Sequence, residues 1–282
     1  MINYVPLHVH TDKSLMDGCA TVDEYGDRAL ALGMTSMAIT DHGTMSNHRE
    51  FNRAMRERGI KPIFGIEAYV TPDIKDRRDR KSRKEPLDRI YNHLTILAKN
   101  EAGYKNLSKL SNIAWTDGYF HKPRMDFDML NEYRDGLILS SACMGGLINS
   151  AIEIGDFATA KKNLGLLRDI AGDDFYVEVM PHNTEGINAA LIEMSDAYGI
   201  KTIVTPDCHH AHKGQKVIQE IMLIANTHPD RLTVDQVQEQ RDNLKAQGRL
   251  PDYSELDAAD RKHLTMLDEI YGPDRRMTFN KF

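Results

Sequence analysis

Side chains of the metal-binding kind recur along this chain in short motifs, the first being His8-Val9-His10 behind the apolar run Tyr4-Val5-Pro6-Leu7. Alternate residues of a strand face the same way, so both imidazoles can reach one ion. The same side-chain types return at Asp17, in Asp41-His42-Gly43, at Glu67, His93 and Cys143, and in Asp207-Cys208-His209. Neutral imidazole, carboxylate and thiolate suit zinc, manganese or iron, and the single thiolate leans towards zinc at its position. His8, His10, Asp17, His42, Glu67, His93, Cys143, Asp207 and His209 are too many donors for one ion. About two or three divalent metal ions are expected, with a carboxylate such as Glu67 bridging them. Closely spaced ions suit in-line displacement at phosphorus, one activating water and another steadying the leaving oxygen. Phosphoester hydrolysis is therefore the expected reaction class. Taken singly, His93 or Cys143 reads as a buried core residue, and Asp17-Gly18 or Asp41-His42-Gly43 as a turn. Their joint recurrence at strand ends favours the metal reading.

Those residues need a scaffold that brings distant positions together. Strands are expected at residues 4–10, 36–40, 62–70, 94–98, 136–140, 175–179 and 201–205. Between them, helices are expected at 22–32, stopping at Gly33, and at 157–171, with Asp156 as N-cap and Gly172 past its end. Another is expected at 188–198, ending at Gly199. Seven strands alternating with helices fit a closed or nearly closed parallel β/α barrel better than an open sheet. In such a barrel the C-terminal strand ends converge on one face, where His8, His10, His42, Glu67, Cys143, Asp207 and His209 would meet.

The chain has 282 residues, enough for one large α/β domain with or without a short appendage. Residues 1–228 are expected to form the catalytic domain and 229–282 a mostly helical extension, with helices near 234–246 and 257–271. The final run, Met277 to Phe282, looks like chain entering another element. No apolar run approaches a membrane span and no basic leader precedes an apolar core, so a cytoplasmic protein without membrane contact is expected. Three widely spaced cysteines suit a reducing compartment rather than a disulfide framework. A net charge of −6 argues against a generally basic nucleic-acid coat but leaves a nuclease open.

The motifs together resemble a known family. Leu7-His8-Val9-His10-Thr11, Ser14-Leu15-Met16-Asp17-Gly18, Ala38-Ile39-Thr40-Asp41-His42-Gly43 and Gly65-Ile66-Glu67-Ala68-Tyr69-Val70 resemble the PHP (polymerase and histidinol phosphatase) domain. More narrowly they look like the N-terminal PHP domain of the bacterial replicative DNA polymerase III alpha subunit, of polymerase family C. The likeness continues through His93 to Glu101, Lys122-Pro123-Arg124, Leu139 to Cys143 and Asp207-Cys208-His209, covering roughly Met1 to Asn226. It implies a distorted seven-stranded (β/α)7 barrel with a trinuclear site. His8, His10, Glu67 and Asp207 would hold the first ion. Glu67 would bridge to a second, completed by His93 and Cys143, and Asp17, His42 and His209 would hold the third. Some members with every ligand are 3′–5′ exonucleases that proofread during synthesis; others have lost ligands and keep the domain as a scaffold. All nine positions are filled here, which implies an active site. Two departures stand out: Pro206 where an Asn is usual, and Cys208 where an apolar residue is usual. The family continues into a long polymerase, so this chain is expected to be an excised domain or the partner of a polymerase on another chain.

A DNA strand must be steered into an acidic pocket by cations. Lys122 and Arg124, beside Tyr119, Phe120 and His121, are the expected substrate-binding residues, gripping phosphate while an aromatic neighbour stacks on a terminal base. The basic run from Arg77 to Lys84 reads as a solvated loop. The expected activity is metal-dependent 3′–5′ exonuclease action on a DNA primer end. The alternatives are a non-catalytic, metal-stabilised docking module of a polymerase and a small-molecule phosphatase of the histidinol-phosphate type.

Overall fold

The computed structural model describes residues 4–222 apart from 16, 84, 217, 220 and 221. In chain order the elements are α1 (Val22–Ala31), β1 (Ser36–Ile39), α2 (His48–Glu57), β2 (Lys61–Val70), β3 (Asn92–Ala98), α3 (Glu101–Thr116), β4 (Arg124–Met125), α4 (Phe127–Glu132), β5 (Leu137–Ser140), α5 (Leu147–Glu153), α6 (Phe157–Ala171), β6 (Phe175–Val179), α7 (Glu185–Tyr198) and β7 (Lys201–Val204). Short polar side chains set several helix starts. Thr21 and Glu24 form a reciprocal capping box on α1, Asp156 accepts from Thr159 N on α6, and Thr184 accepts from Ile187 N on α7. That last cap starts α7 at Glu185, three residues before the expected 188.

The sheet order is β1-β2-β3-β5-β6-β7, with β4 paired to β2. The extended segment 6–10 joins its two edges. Ala38 N donates to Pro6 O (2.9 Å) and Thr40 N to Val9 O (2.9 Å) on one side. His10 N donates to Cys208 O (2.7 Å) and Cys208 N to His8 O (3.1 Å) on the other. The expected distorted seven-stave barrel is thus present, with residues 6–10 as a stave bridging β1 and the chain after β7. One expectation fails: the staves are not all parallel. β3 runs antiparallel to both β2 and β5.

Strand alternation sorts the staves' side chains into two sets. Ile66, Ala68, Val70, Leu94, Ile96, Leu137, Leu139, Phe175, Val177 and Val179 share one apolar core with α3 to α7. A second core joins Val9, Met37 and Ile39 to α1 and α2. The alternate positions, among them His8, His10, Glu67, Thr95, Ser140 and Glu178, are buried and polar, and they turn to the barrel axis. No helix among the described residues is long and apolar enough to cross a membrane. The helices expected at 234–246 and 257–271, and the extension at 229–282, lie outside the described residues.

Candidate metal centre

Val9 sits in the apolar core, and this anchors the N-terminal stave so that His8 and His10 turn the other way, both fully buried. Partners on their far sides orient the rings. His8 Nδ1 donates to Glu178 Oε2 at 2.9 Å. Ser14 Oγ uses its proton on Asp41 Oδ1 (3.0 Å) and so accepts from His10 Nδ1 at 2.9 Å. His209 Nδ1 donates to the Asp207 carbonyl at 2.9 Å. In all three rings Nε2 is left to face the centre, the arrangement by which outer hydrogen bonds fix a metal-binding tautomer.

Glu67 stands at the middle. Its Oε1 lies 3.0 Å from His93 Nδ1, 3.2 Å from Cys143 Sγ and 3.5 Å from His8 Nε2. Its Oε2 lies 2.7 Å from His42 Nδ1 and 3.4 Å from His10 Nε2. Asp207 Oδ1 is 3.3 Å from His8 Nε2 and 3.1 Å from His10 Nε2. Asp17 Oδ2 is 3.3 Å from both His42 Nε2 and His209 Nε2. All nine expected donors therefore converge. Three overlapping groups have ligand atoms within 4.8 Å of one another: His8, His10 and Asp207; His42, Glu67 and His93; and His10, Asp17, His42 and His209. Cys143 Sγ adjoins the second group, 3.4 Å from His93 Nδ1.

The reversal of β3 explains the placing of His93. It opens its strand rather than closing one, and antiparallel travel brings that opening to the face where the parallel strands end. Asp41 supports the centre without joining it. Its carboxylate accepts from Thr11 N (2.6 Å), Thr11 Oγ1 (2.8 Å) and Ser14 Oγ, which holds the turn that carries Asp17. Two residues here take the left-handed backbone that side chains disfavour: Ala142 (φ 60°), before Cys143, and Asp207 (φ 52°). Strain of this kind persists where surrounding structure over-determines it, and it gathers at functional sites.

Among the described residues' buried atoms that lack a well-formed hydrogen bond, six belong to the centre: His8 Nε2, His10 Nε2, Asp17 Oδ1, His42 Nδ1, Glu67 Oε2 and Asp207 Oδ1. Unsatisfied buried polar atoms are costly, and here they come from five different stretches of chain. They fit a set of divalent cations. The electrostatics agree. Burial pushes the Glu67 and Asp207 carboxyls up, yet the facing imidazoles hold both below the usual carboxylate range. Burial lowers His42, but Glu67 and then Asp17 more than offset it and raise that ring to about 10. His209 goes to about 9 against the same opposition, through Asp17 and Asp207. The carboxylates thus gather positive charge onto their neighbours, charge that a cation can replace. His10 moves the other way, to about 3, under burial and the repulsion of His42 and His209.

Glu178 was not legible as a site residue, although it is fully buried. Besides His8 it accepts from Ser140 Oγ, Thr205 Oγ1 and Ala142 N. The one signal was alternation: in Phe-Tyr-Val-Glu-Val the acid lies opposite the three core-facing residues.

The two expected substrate cations separate. Lys122 is half-buried at the rim, its Nζ 5.3 Å from the Tyr69 ring centroid and making no ion pair or hydrogen bond among the described residues. Burial lowers its pKa, opposed by the charge of Asp17. Tyr69 in turn stacks on His42 (5.9 Å), so this ammonium stands at the entrance. Arg124 must be corrected. It is fully buried, and its guanidinium donates to the carbonyls of Ile74 (2.8 Å), Asp76 (2.9 Å), Gly118 (3.2 Å) and Ile90 (3.4 Å). Its charge pins the 74–90 loop and cannot reach a substrate. Arg124→Ala should cost about 3–5 kcal/mol, the scale for stranding buried partners of a charge. Thermal unfolding would show it, whereas an unchanged melting temperature would refute the clamp. Three arginines of the basic loop are engaged: Arg78 and Arg83 both pair with Asp76 and Asp88, and Arg77 donates to the carbonyls of Asp117 and Tyr119. Lys84 lies outside the described residues. Cys208 is half-buried against the second core and is no ligand in these groups.

The family model of the PHP domain matches residues 6–182. Among curated proteins, a DNA polymerase III subunit alpha of Borreliella burgdorferi is 36% identical over 79% of this chain and 19% of its own length. Proteins of that name from Aquifex aeolicus (35%, covering 78% and 19%) and Helicobacter pylori strain 26695 (36%, covering 78% and 19%) are also similar. The chain spans about a fifth of the length of these relatives. Among solved structures, similarity extends to a candidate metal-dependent phosphoesterase of Bifidobacterium adolescentis. Its TM-score is 0.46 at 14% identity, over 74% of this chain and 88% of that one. An amidohydrolase of Chromobacterium violaceum gives a TM-score of 0.45 at 17% identity, over 73% and 87%.

Proposed function

Because this chain belongs to the PHP domain family, we propose that it is a metal-dependent phosphodiesterase that removes nucleotides from the 3′ end of DNA, mispaired ones included. The observation that carries this reading is the convergence of nine ligand-type side chains, six of whose buried polar atoms lack a well-formed hydrogen bond. His8, His10, Glu67 and Asp207 would hold one ion. His93 and Cys143, with Glu67, would hold a second, and Asp17, His42 and His209 would hold a third. Zinc, manganese and iron all suit such donors. Bound ions supply Lewis acidity: they activate water and neutralise charge on the phosphate.

The protein's own contribution is placement. Glu178, Ser14 and the Asp207 carbonyl keep three imidazoles turned inward. Lys122, with no carboxylate partner among the described residues, meets the incoming phosphate as a point charge. Within the expected domain, 1–228, the described residues carry all of these side chains. The name its relatives carry, DNA polymerase III subunit alpha, supports an activity that works beside a polymerase, on the same chain or another.

The test uses a 5′-labelled primer–template, matched or mispaired at its 3′ end, with manganese or zinc added. Wild type should shorten the primer stepwise from the 3′ end. His8→Ala/His10→Ala should lose at least about 10³-fold of that rate, the order of a lost electrostatic stabiliser of the reacting group. A folded double variant that shortens primers as fast as wild type would refute the site. Histidinol phosphate serves as the competing substrate, and preference for it would move the reading to a small-molecule phosphatase.

A further inference from the structure

An aromatic pair stands exposed beside the centre and takes no part in the fold's cores. Trp115 and Tyr119 are each about half exposed (50% and 49%), and their rings stack at 5.6 Å with 22° between planes. The Trp115 ring and the Tyr119 backbone are both held. Trp115 Nε1 donates to the carbonyl of Gly43 at 3.0 Å, and Gly43 directly follows His42. Arg77 donates to the carbonyls of Asp117 and Tyr119, tying down the turn after α3. Gly43 itself has φ +61°, and a Cβ there would meet Pro123 and Tyr69 at 2.9 Å. The stacked pair, Gly43 and the segment bearing Lys122 are therefore one close-packed unit at the rim.

We propose that Trp115 and Tyr119 form a stacking ledge for an unpaired nucleobase, so that the substrate is a single-stranded or melted 3′ end rather than a paired one. This deepens the phosphodiesterase reading and rests on it. Glu67 and its imidazole neighbours lie buried below the rim, so a terminal phosphodiester reaches them only if its nucleotide leaves the duplex. A splayed base exposes a π face, and aromatic platforms take such faces with little regard to sequence. Lys122, half-buried and without an ion pair among the described residues, lies over the Tyr69 ring that stacks on His42, where the adjoining phosphate would pass. A partner polypeptide covering the same rings is the competing occupant.

Trp115 is the chain's single tryptophan, so its fluorescence reports the ledge directly. The full chain, with no metal added, would be titrated with a thymidine ten-mer and, separately, with a blunt duplex of equal length. The single strand should quench the emission saturably, and the duplex should need at least about tenfold more for the same effect. Tyr119→Leu, which keeps apolar bulk but loses the stacking face, should weaken the single strand's Kd about tenfold. Absence of quenching in folded wild type would overturn the proposal and leave the ledge to a polypeptide. Equal quenching by duplex, or an unchanged Kd in Tyr119→Leu, would overturn it too. Turnover of bis(p-nitrophenyl) phosphate with manganese is followed in parallel. Its failure in wild type would count against the phosphodiesterase reading, whereas the quenching result judges the ledge alone.

Discussion

Replacing Glu67 by Gln should abolish hydrolysis, with a loss of at least about 10³-fold, and should lower the protein's metal content as well. No other side chain here reaches as many of its fellow donors. Both oxygens lie within 3.5 Å of imidazole nitrogens from different stretches of chain, and Cys143 Sγ lies 3.2 Å from Oε1. Gln keeps the volume but removes the charge and one acceptor, so the metal groups that meet at Glu67 would lose their anionic ligand. A second consequence is visible without metal. Burial lowers His42, but Glu67 and Asp17 raise it from 6.5 to about 10. A raised folded-state pKa contributes stability that is complete below the unfolded value, 6.5, and is lost as pH climbs through about 10. Metal-free wild type should therefore lose stability over that window, and Glu67→Gln should flatten the decline. Denaturant midpoints at pH 6 and pH 10 would check this. An equally steep decline in the variant would contradict the assignment.

Substituting Glu178 tests the support of the centre rather than its ligands. Its carboxylate is fully buried and accepts from His8 Nδ1, Ser140 Oγ, Thr205 Oγ1 and Ala142 N. Glu178→Ala strands all four donors and should cost about 3–5 kcal/mol. Glu178→Gln is the more discriminating change. With its amide nitrogen towards His8, donor faces donor, and His8 must carry its proton on Nε2 instead, which closes that nitrogen to a metal. With the amide turned over, the Ala142 N–H loses its acceptor. The Gln variant should thus fold but bind metal about 10–100-fold more weakly, the usual effect of removing an outer partner of a ligating histidine. Metal titration against a competing chelator reads this. Undiminished affinity would show that the His8 tautomer does not depend on Glu178.

Much of the architecture was readable because strand and helix punctuation is local. Gly33, Gly172 and Gly199 follow helices α1, α6 and α7 with positive φ, as expected of chain leaving a helix. Six expected strands fell close to their bounds because β-rich apolar runs mark them, whereas the run at 4–10 makes only an isolated bridge, Val9 to Cys208. Strand direction is another matter. Nothing in the 94–98 run says that β3 travels against its neighbours, since the pairing that decides it lies in β2 and β5. The long helix α3 was also missed. It contains Gly103, a poor helix former, placed where a Cβ would lie 1.8 Å from the Gly136 carbonyl. That close approach belongs to tertiary packing and leaves no local sign.

The centre was legible for a similar reason. Imidazoles, carboxylates and a thiol recurring at strand ends are informative by type alone, without knowledge of their partners. Cations are not. Lys122 and Arg124, two residues apart, read alike in sequence, yet one stands at the rim and the other is consumed by four backbone carbonyls. Glu178 was overlooked for the opposite cause. It stands alone in an apolar strand, and only the barrel axis gives its inward direction a meaning.

The most direct measurement couples metal loading to cleavage in one series. Metal-free protein would be loaded stepwise with manganese or zinc, the bound ions counted by elemental analysis, and shortening of a 5′-labelled single-stranded DNA followed at each step. Wild type should bind about two or three ions and gain 3′-end cleavage as they fill, while Glu67→Gln gains neither. A folded wild-type protein that takes up its metal and cleaves no phosphodiester would contradict the account and leave the centre a structural support.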